Sequence, residues 1–318
     1  MINQAESLRP SSWTDFAGQP QVVKSLKIAI SAAKSRSEPM EHTLLYGPPG
    51  LGKTTLAHII ANEMGVNLKM TSGPALTRAG DLASILTALE PGDVLFIDEI
   101  HRLNKTVEEA LYPAMEDFAI DIILGKGPAA KNLRLDLNPF TLVGATTQAG
   151  RISSPLRDRF GIVHRLRFYI PEELRGIVQN AAKKFGLKLD DESALEIAQR
   201  SRGTARIALK LLRRVRDYTL VEHGSITTPS NIKLSLDFYQ VDEEGLDETD
   251  RRLLRAIIEQ HKGGPVGLET LAALISESVD TITDLYEPYL LQSGFLSKTS
   301  KGRVATEKAY QHLKITKI

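Results

Sequence analysis

The sequence predicts an α/β chain in three parts: a parallel sheet wrapped by helices, a small all-helical domain, and a winged helix-turn-helix. Three observations carry this. Up to about Ile170, short apolar runs alternate with helical patterns, as in a parallel sheet covered by crossover helices. From Pro171, helical patterns follow one another with no strand between them. Near the end, further helical patterns lead into two short β-like pieces around a polar turn.

Taken in order, Thr43–Tyr46 (TLLY) is a strand that runs into glycines, and 54–64 repeats apolar residues at helical spacing. Val94–Ile97 (VLFI) is a short apolar strand ending in two acids, and 140–145 (FTLVGA) is another. The spacing then predicts helices over 171–185, 193–201 and 205–218, the first opened by Pro171 with Glu172 and Glu173 at the positive end of its dipole. The acid-rich stretch 242–250 (DEEGLDETD) reads as a solvated connector or as a strongly capped helix start. Helices follow over about 250–260, 267–275 and 280–291, then β-like pieces at 294–296 and 303–306 around the turn 297–302. The expected domains are 1–169, 170–241 and 242–318.

Composition excludes whole classes. The 318 residues carry 40 Lys+Arg against 39 Asp+Glu, so any nucleic-acid contact must come from a local patch. The absence of cysteine removes disulfides, thiolate zinc sites, iron–sulfur clusters and a cysteine nucleophile together. No apolar run approaches the ~18 residues that span a bilayer. The opening MINQAESLRPSSW lacks the basic-then-apolar pattern of a signal peptide, so a soluble, cytoplasmic protein with no membrane partner is expected.

Gly47-Pro48-Pro49-Gly50-Leu51-Gly52-Lys53-Thr54 satisfies GxxxxGK[ST] between a strand and a helix. Glycines let successive backbone N–H groups curl around phosphate oxygens, and the following helix points its positive end at the same anion. Lys53 suits the β/γ-phosphates and the Thr54 hydroxyl suits Mg²⁺, which makes ATP/ADP with Mg²⁺ the expected ligands. Asp98 and Glu99 stand at a strand end, the first suited to the hydrated metal and the second to orienting or deprotonating an attacking water. Thr146 ends another strand, where its hydroxyl can hold that water or the γ-phosphate, or simply form an ST turn. Arg157-Asp158-Arg159-Phe160 lies just beyond, and an arginine there can stabilise a transferring phosphoryl group in cis or from a neighbouring subunit, or belong to a surface ion-pair cluster. Arg206 opens a helix and can fold over bound nucleotide.

The order of phosphate loop, DEIH, GATT, SPLRDRF and an Arg-led helix resembles the AAA+ ATPases. Phe16–Gln19, Gly47–Leu56, Ile97–Leu103, Tyr112–Asp117, Gly144–Thr147, Ser154–Ile162 and Gly263–Gly267 together resemble the RuvB family, over essentially the whole chain from Leu8 to Thr306. That resemblance implies an ATP-dependent DNA translocase, a hexameric ring that drives branch migration of Holliday junctions in recombination and repair. It places Leu8 and Arg9 at the adenine, Gly50, Gly52, Lys53, Thr54 and Thr55 at phosphates and magnesium, and Glu116, Asp117 and Phe118 in another nucleotide-contacting segment. It further makes Thr146 a sensor, Arg159 a trans-acting arginine finger, Arg206 a lid sensor, and Tyr169 part of the nucleotide pocket. Lys298 and Arg303 fall at DNA-contacting basic positions. Two positions depart from the pattern: Val279 stands where relatives can carry a basic DNA contact, and Lys298 where Arg is often found.

The stretches 119–125 and 132–137 flank a turn holding Lys126-Gly127-Pro128. Leu133, Leu135 and Leu137 alternate, which fits either a buried sheet edge or an exposed apolar hairpin. The resemblance implies the second, docking a RuvA-type junction-binding partner, with a RuvC-type resolvase in the same assembly. Residues 292–318 hold six Lys/Arg against one Glu, a patch that can track double-stranded DNA phosphates without reading bases. Two other functions remain open to these residues: a clamp-loader-like switch that uses DNA as cofactor, and an ATP-gated regulator that reads an operator.

Overall fold

The computed structural model describes residues 8–124, 131–224 and 226–316. These form two compact units: the chain up to Gly47 with Leu51–Arg167, and Pro48–Gly50 with the chain from Phe168 on.

The first unit opens with α1 (Pro20–Arg36) and is built on a five-stranded parallel sheet in the order β2-β3-β6-β1-β7. Its strands are β1 (Thr43–Tyr46), β2 (Leu68–Ser72), β3 (Val94–Asp98), β6 (Thr141–Thr146) and β7 (Ile162–Arg165). The three central strands are the near-continuous apolar runs TLLY, VLFID and TLVGAT, because helices cover both of their faces. The two edges, LKMTS and IVHR, are half exposed and mix polar with apolar residues, so hydrophobic patterning alone does not mark them as strands. Helices α2 (Lys53–Met64), α3 (Ala79–Leu86) and α4 (Lys105–Glu116) cross over between strands, and the short α5 (Ser154–Asp158) leads from β6 to β7. Leu44, Leu95, Ile97, Leu142, Phe140 and Phe160 sit in one buried cluster beneath them.

From the end of α4 an antiparallel hairpin leaves this body, β4 (Ala119–Leu124) pairing with β5 (Lys131–Asp136) from Ala119↔Asp136 to Leu124↔Lys131. The predicted turn at Lys126-Gly127-Pro128 lies outside the described residues. The alternating leucines resolve into a gradient. Leu137 is buried, Leu135 packs against the core, and Leu133 is 42% exposed. The hairpin is thus rooted in the core, and its leucines become more exposed from Leu137 to Leu133.

In the second unit α6 (Pro171–Lys184), α7 (Asp191–Gln199), α8 (Ala205–His223) and α9 (Pro229–Phe238) form the helical part. Helix α9 is not among the helices expected from the sequence. Only Ile232, Ser235 and Leu236 of its ten residues are buried, so its apolar period is weak, and capping by Thr228 with Pro229 at the first turn marks its start instead. Helices α10 (Glu248–Arg255), α11 (Leu268–Ile275) and α12 (Val279–Thr281) follow. A π-helical segment, Ile282–Tyr286, runs α12 into α13 (Glu287–Gln292). The hairpin β8 (Leu296–Thr299) with β9 (Gly302–Ala305) and then α14 (Glu307–Leu313) complete the winged helix. The turn is shorter than the sequence suggests: 297–299 belong to β8, whose exposed Ser297, Lys298 and Thr299 look like a loop by polarity.

The acid-rich stretch is a capped helix start rather than a solvated connector. Asp247 caps α10, accepting from the Thr249 and Asp250 N–H groups, and Asp250 returns a bond to the Asp247 N–H. Asp250 is fully buried against Arg202, whose Nη2 also lies 2.7 Å from Asp247 and whose Nε donates to the Gly245 carbonyl at 2.8 Å. Burial pushes the Asp250 carboxyl up to about 7, more than the Arg202 charge pulls it down. Gly245 has φ 74°, and a Cβ there would stand 2.5 Å from the Arg200 carbonyl oxygen, so the helical part and the winged helix touch through backbone at this point.

Candidate functional site

The loop after β1 depends on its glycines. Gly47, Gly50 and Gly52 have φ of 144°, 82° and 100°. A Cβ at Gly47 would lie 2.6 Å from the Leu166 carbonyl oxygen, and its N–H donates to the Thr146 carbonyl at 3.1 Å. Gly52 is the N-cap of α2 and supplies no side chain to its first turn, so the helix opens on bare backbone, a start that suits an external anion. Lys53 is buried and reaches back across the loop, its Nζ donating to the Gly47 carbonyl at 2.7 Å. A bare, curled backbone with one lysine inside it and a half-buried Thr54 hydroxyl at the helix start fits a nucleotide's phosphates and their metal ion.

Strand register brings the other candidates to the same edge. Ile97 of β3 lies level with Gly144 of β6, and Thr146 of β6 lies level with Tyr46 of β1. Thr146 therefore ends beside β1, the strand that feeds the loop, and Asp98 and Glu99 end one strand further on, all at the carboxyl edge where open parallel sheets hold ligands. Glu99 is held at φ 47°, a left-handed conformation that costs a residue with a Cβ on the order of 1 kcal/mol. Its N–H donates to Asp98 Oδ1 at 2.9 Å, and its carboxylate pairs with Arg102 at 3.0 Å in partly exposed surroundings. Gly73 permits this turn, since a Cβ on it would sit 2.5 Å from the Glu99 carbonyl oxygen. Thr146 is buried; its Oγ1 accepts from the Gln148 N–H at 2.9 Å and lies 2.9 Å from His101 Nδ1. It thus makes the ST turn and also stands at the carboxyl edge of the sheet. His101 is a residue that sequence reasoning gave no role, although its place three positions after Asp98 puts it on the turn that Glu99 begins.

A separate cluster surrounds Arg159, at the C-terminus of α5. Its Nη1 donates to the Pro155 carbonyl at 2.7 Å, its Nη2 lies 3.1 Å from Glu116 Oε1, and its Cζ stands 4.3 Å from the centre of the Tyr112 ring. Next to it, Asp117 accepts from Arg134 of β5 at 2.8 Å, and Phe118, at φ 50°, sets its ring against His42 and Phe140. Glu116, Asp117 and Phe118 therefore organise the Arg159 side and the hairpin base. Each of these contacts of Arg159 is to α4 or α5, none to the phosphate loop.

Leu8 is buried in the first unit, where Arg9 bonds a His58 ring nitrogen. In the second unit Tyr169 is buried with its N–H on the Gly203 carbonyl at 2.8 Å, and Arg206 is exposed in the first turn of α8. On the wing, Lys298 is exposed and Arg303, level with it across β8 and β9, forks onto Glu287. Val279 packs against the winged-helix core, which accounts for an apolar side chain at that position. Among the described residues no helix is long and apolar enough to cross a membrane.

Residues 8–166 match the family model described as the Holliday junction DNA helicase RuvB P-loop domain, 169–242 the RuvB AAA lid domain, and 243–314 the RuvB C-terminal winged helix domain. Among solved structures, the chain is similar to the Thermotoga maritima RuvB Holliday junction branch migration motor, at 52% identity and a TM-score of 0.89, covering 98% of this chain and 99% of that one. A single-substitution mutant of the Thermotoga protein aligns at 53% identity with a TM-score of 0.90, covering 97% of this chain and 99% of that one.

Proposed function

The chain belongs to the RuvB family of AAA+ ATPases, and from that premise we propose that it is an ATP-driven Holliday-junction branch-migration motor working as a hexameric ring with a RuvA-type partner. The observation that carries this is the carboxyl edge, where the phosphate loop, Asp98, Glu99 and Thr146 stand side by side in a chain that also holds a winged helix. The chain works in three domains, 1–169, 170–241 and 242–318, in the cytoplasm.

Gly50, Gly52, Lys53 and Thr55 hold phosphates, while Thr54 and Asp98 hold Mg²⁺. When bound, Mg²⁺-ATP supplies the phosphoryl group and the charge that neutralises its oxygens. Glu99 orients the attacking water and accepts its proton, and Thr146 senses the γ-phosphate. Leu8 and Arg9 contact the adenine, Tyr169 is a nucleotide contact, and Arg206 is the lid sensor. Arg159 serves the neighbouring protomer's site together with Glu116, Asp117 and Phe118. Its attachment to α4 and α5, away from its own loop, supports that trans role. Lys298 contacts DNA phosphates directly, with Arg303 adding charge from behind its pairing with Glu287. The hairpin 119–137 presents its outer leucines to the RuvA-type protein, and a RuvC-type resolvase joins the same assembly.

A synthetic four-way junction with labelled arms tests this. The expected result is ATP-dependent separation into duplex arms, strongly stimulated by a RuvA-type partner. DNA-stimulated ATP turnover with no arm separation under any partner condition would overturn it in favour of a clamp-loader-like switch, and an operator preference of several kcal/mol would favour a regulator.

A further inference from the structure

Helix α4 presents Glu108, Tyr112 and Glu116 four residues apart, on one face. The carboxylate of Glu108 accepts the Tyr112 hydroxyl at 2.6 Å and also the hydroxyl of Ser153. Ser153 is the N-cap of α5, its Oγ accepting from the Leu156 N–H at 3.3 Å, so Glu108 ties the tyrosine ring to the start of the short helix that ends in Arg159. The ring lies against the guanidinium, 4.3 Å from its carbon, with Glu116 at one edge and the Pro155 carbonyl at the other. Arg159 Nε is buried with no hydrogen-bond partner, so the stem end of the group is fixed by packing rather than by donation.

We infer that Tyr112 is a positioning residue for Arg159, a platform held in place by Glu108 and Ser153 that fixes the orientation of the guanidinium for phosphoryl transfer. This rests on the reading of Arg159 as a trans-acting finger. The physical reason for a ring is donor economy. A second carboxylate would hold the cation equally well, but it would occupy N–H donors and neutralise charge wanted at the γ-phosphate. An aromatic face attracts the cation through its quadrupole and leaves the planar N–H edge available. Glu116 is more than half exposed on its side chain, the kind of partner that a phosphate can replace. The hydrogen bond to Glu108 and burial both hold the Tyr112 hydroxyl protonated, burial being the larger, so the ring stays a neutral platform at working pH.

The test is steady-state ATPase with mixed subunits. Tyr112→Leu should lower kcat roughly 2- to 30-fold, the span of a cation–π contact from exposed to desolvated, while nucleotide affinity stays within about twofold. Tyr112→Phe keeps the ring and should retain most of the rate. Tyr112→Met, unbranched and without a ring, takes the place of Tyr112→Leu if that variant does not fold. Mixed with Lys53→Ala, which keeps a normal Arg159 but a disabled phosphate site, Tyr112→Leu should gain activity per subunit. Mixed with Arg159→Ala it should gain none. If Arg159→Ala regains activity with Lys53→Ala but Tyr112→Leu does not, the positioning role is wrong and the finger stands. If neither gains although subunits exchange, the trans finger itself is wrong, and the inference goes with it.

Discussion

Arg303 sets its guanidinium on the carboxylate of Glu287, Nη2 lying 3.0 Å from each oxygen, with the two side chains 12% and 6% exposed. The pair joins strand β9 to helix α13, and it changes what each basic residue of the wing is expected to do. A cation already shared with a buried carboxylate is a weaker phosphate contact than an exposed one, and its removal leaves Glu287 buried without its partner.

Lys298→Ala and Arg303→Ala should therefore differ in kind. Lys298→Ala should leave thermal stability unchanged and reduce the salt dependence of DNA binding by about 0.9 log unit per log unit of salt if one phosphate contact is lost. Arg303→Ala should destabilise the winged helix by about 3–5 kcal/mol, the cost of orphaning a buried partner. Thermal unfolding and salt-titrated DNA binding on the same samples separate the two. An unchanged melting temperature for Arg303→Ala would show that Glu287 tolerates its loss.

At the phosphate loop, Lys53→Ala should weaken nucleotide binding, because Lys53 reaches across the curl of the loop to the Gly47 carbonyl, where the proposed function puts the ground-state phosphates. Glu99→Gln should bind ATP normally and hold it unhydrolysed, with turnover reduced by about 10²-fold or more, since in the proposed mechanism the residue acts on the attacking water. Equilibrium binding of a fluorescent nucleotide beside single-turnover hydrolysis gives both numbers. Normal turnover by Glu99→Gln would remove it from the mechanism.

Arg159→Ala should bind ATP and lose hydrolysis by about 10³–10⁵-fold. Arg159→Lys should not restore the rate, because a point charge cannot reproduce the fork held between Glu116 and the Pro155 carbonyl. Rapid-quench measurement of bound ATP decides this, and near-normal rates for the Lys variant would argue against fork geometry.

Asp250 makes stability depend on pH in an unusual direction. Its carboxyl rises from 3.8 to about 7 in the folded chain, because burial outweighs the Arg202 charge. The folded state therefore holds a proton that the unfolded chain has released, and the stability this adds is full below pH 3.8 and lost as pH rises through about 7. Asp247 moves the opposite way: burial raises it, but Arg202 and its hydrogen bonds lower it further, so its contribution appears above the ordinary carboxylate range and is lost only in acid. Asp250→Asn, a stand-in for the neutral acid, should remove the loss between pH 3.8 and about pH 7, which for one group has a slope of at most about 1.4 kcal/mol per pH unit. Parallel pH–melting curves for the two proteins would assign the dependence elsewhere.

The phosphate loop was legible in the sequence because its function is backbone conformation. Gly47, Gly50 and Gly52 must adopt φ values that other residues resist, and Lys53 and Thr54 follow within the same turn, so local sequence settles local shape. The same holds for the central strands, whose burial on both faces writes itself as unbroken apolar runs. The edge strands β2 and β7 and helix α9 were not legible, because half-exposed elements mix polar and apolar residues without a clean period.

Tertiary structure alone decided the relationships between residues far apart in the chain. Arg159 meets Glu116 across 43 positions, Thr146 meets His101 across 45, and Arg202 meets Asp250 across 48. A charged residue's type says that it needs a partner but not which one, and the run 242–250 reads as a solvated connector or as a capped helix start until Arg202 is brought beside it. Each side chain's role is set by what the fold places within hydrogen-bond reach, and burial there makes that choice costly to change.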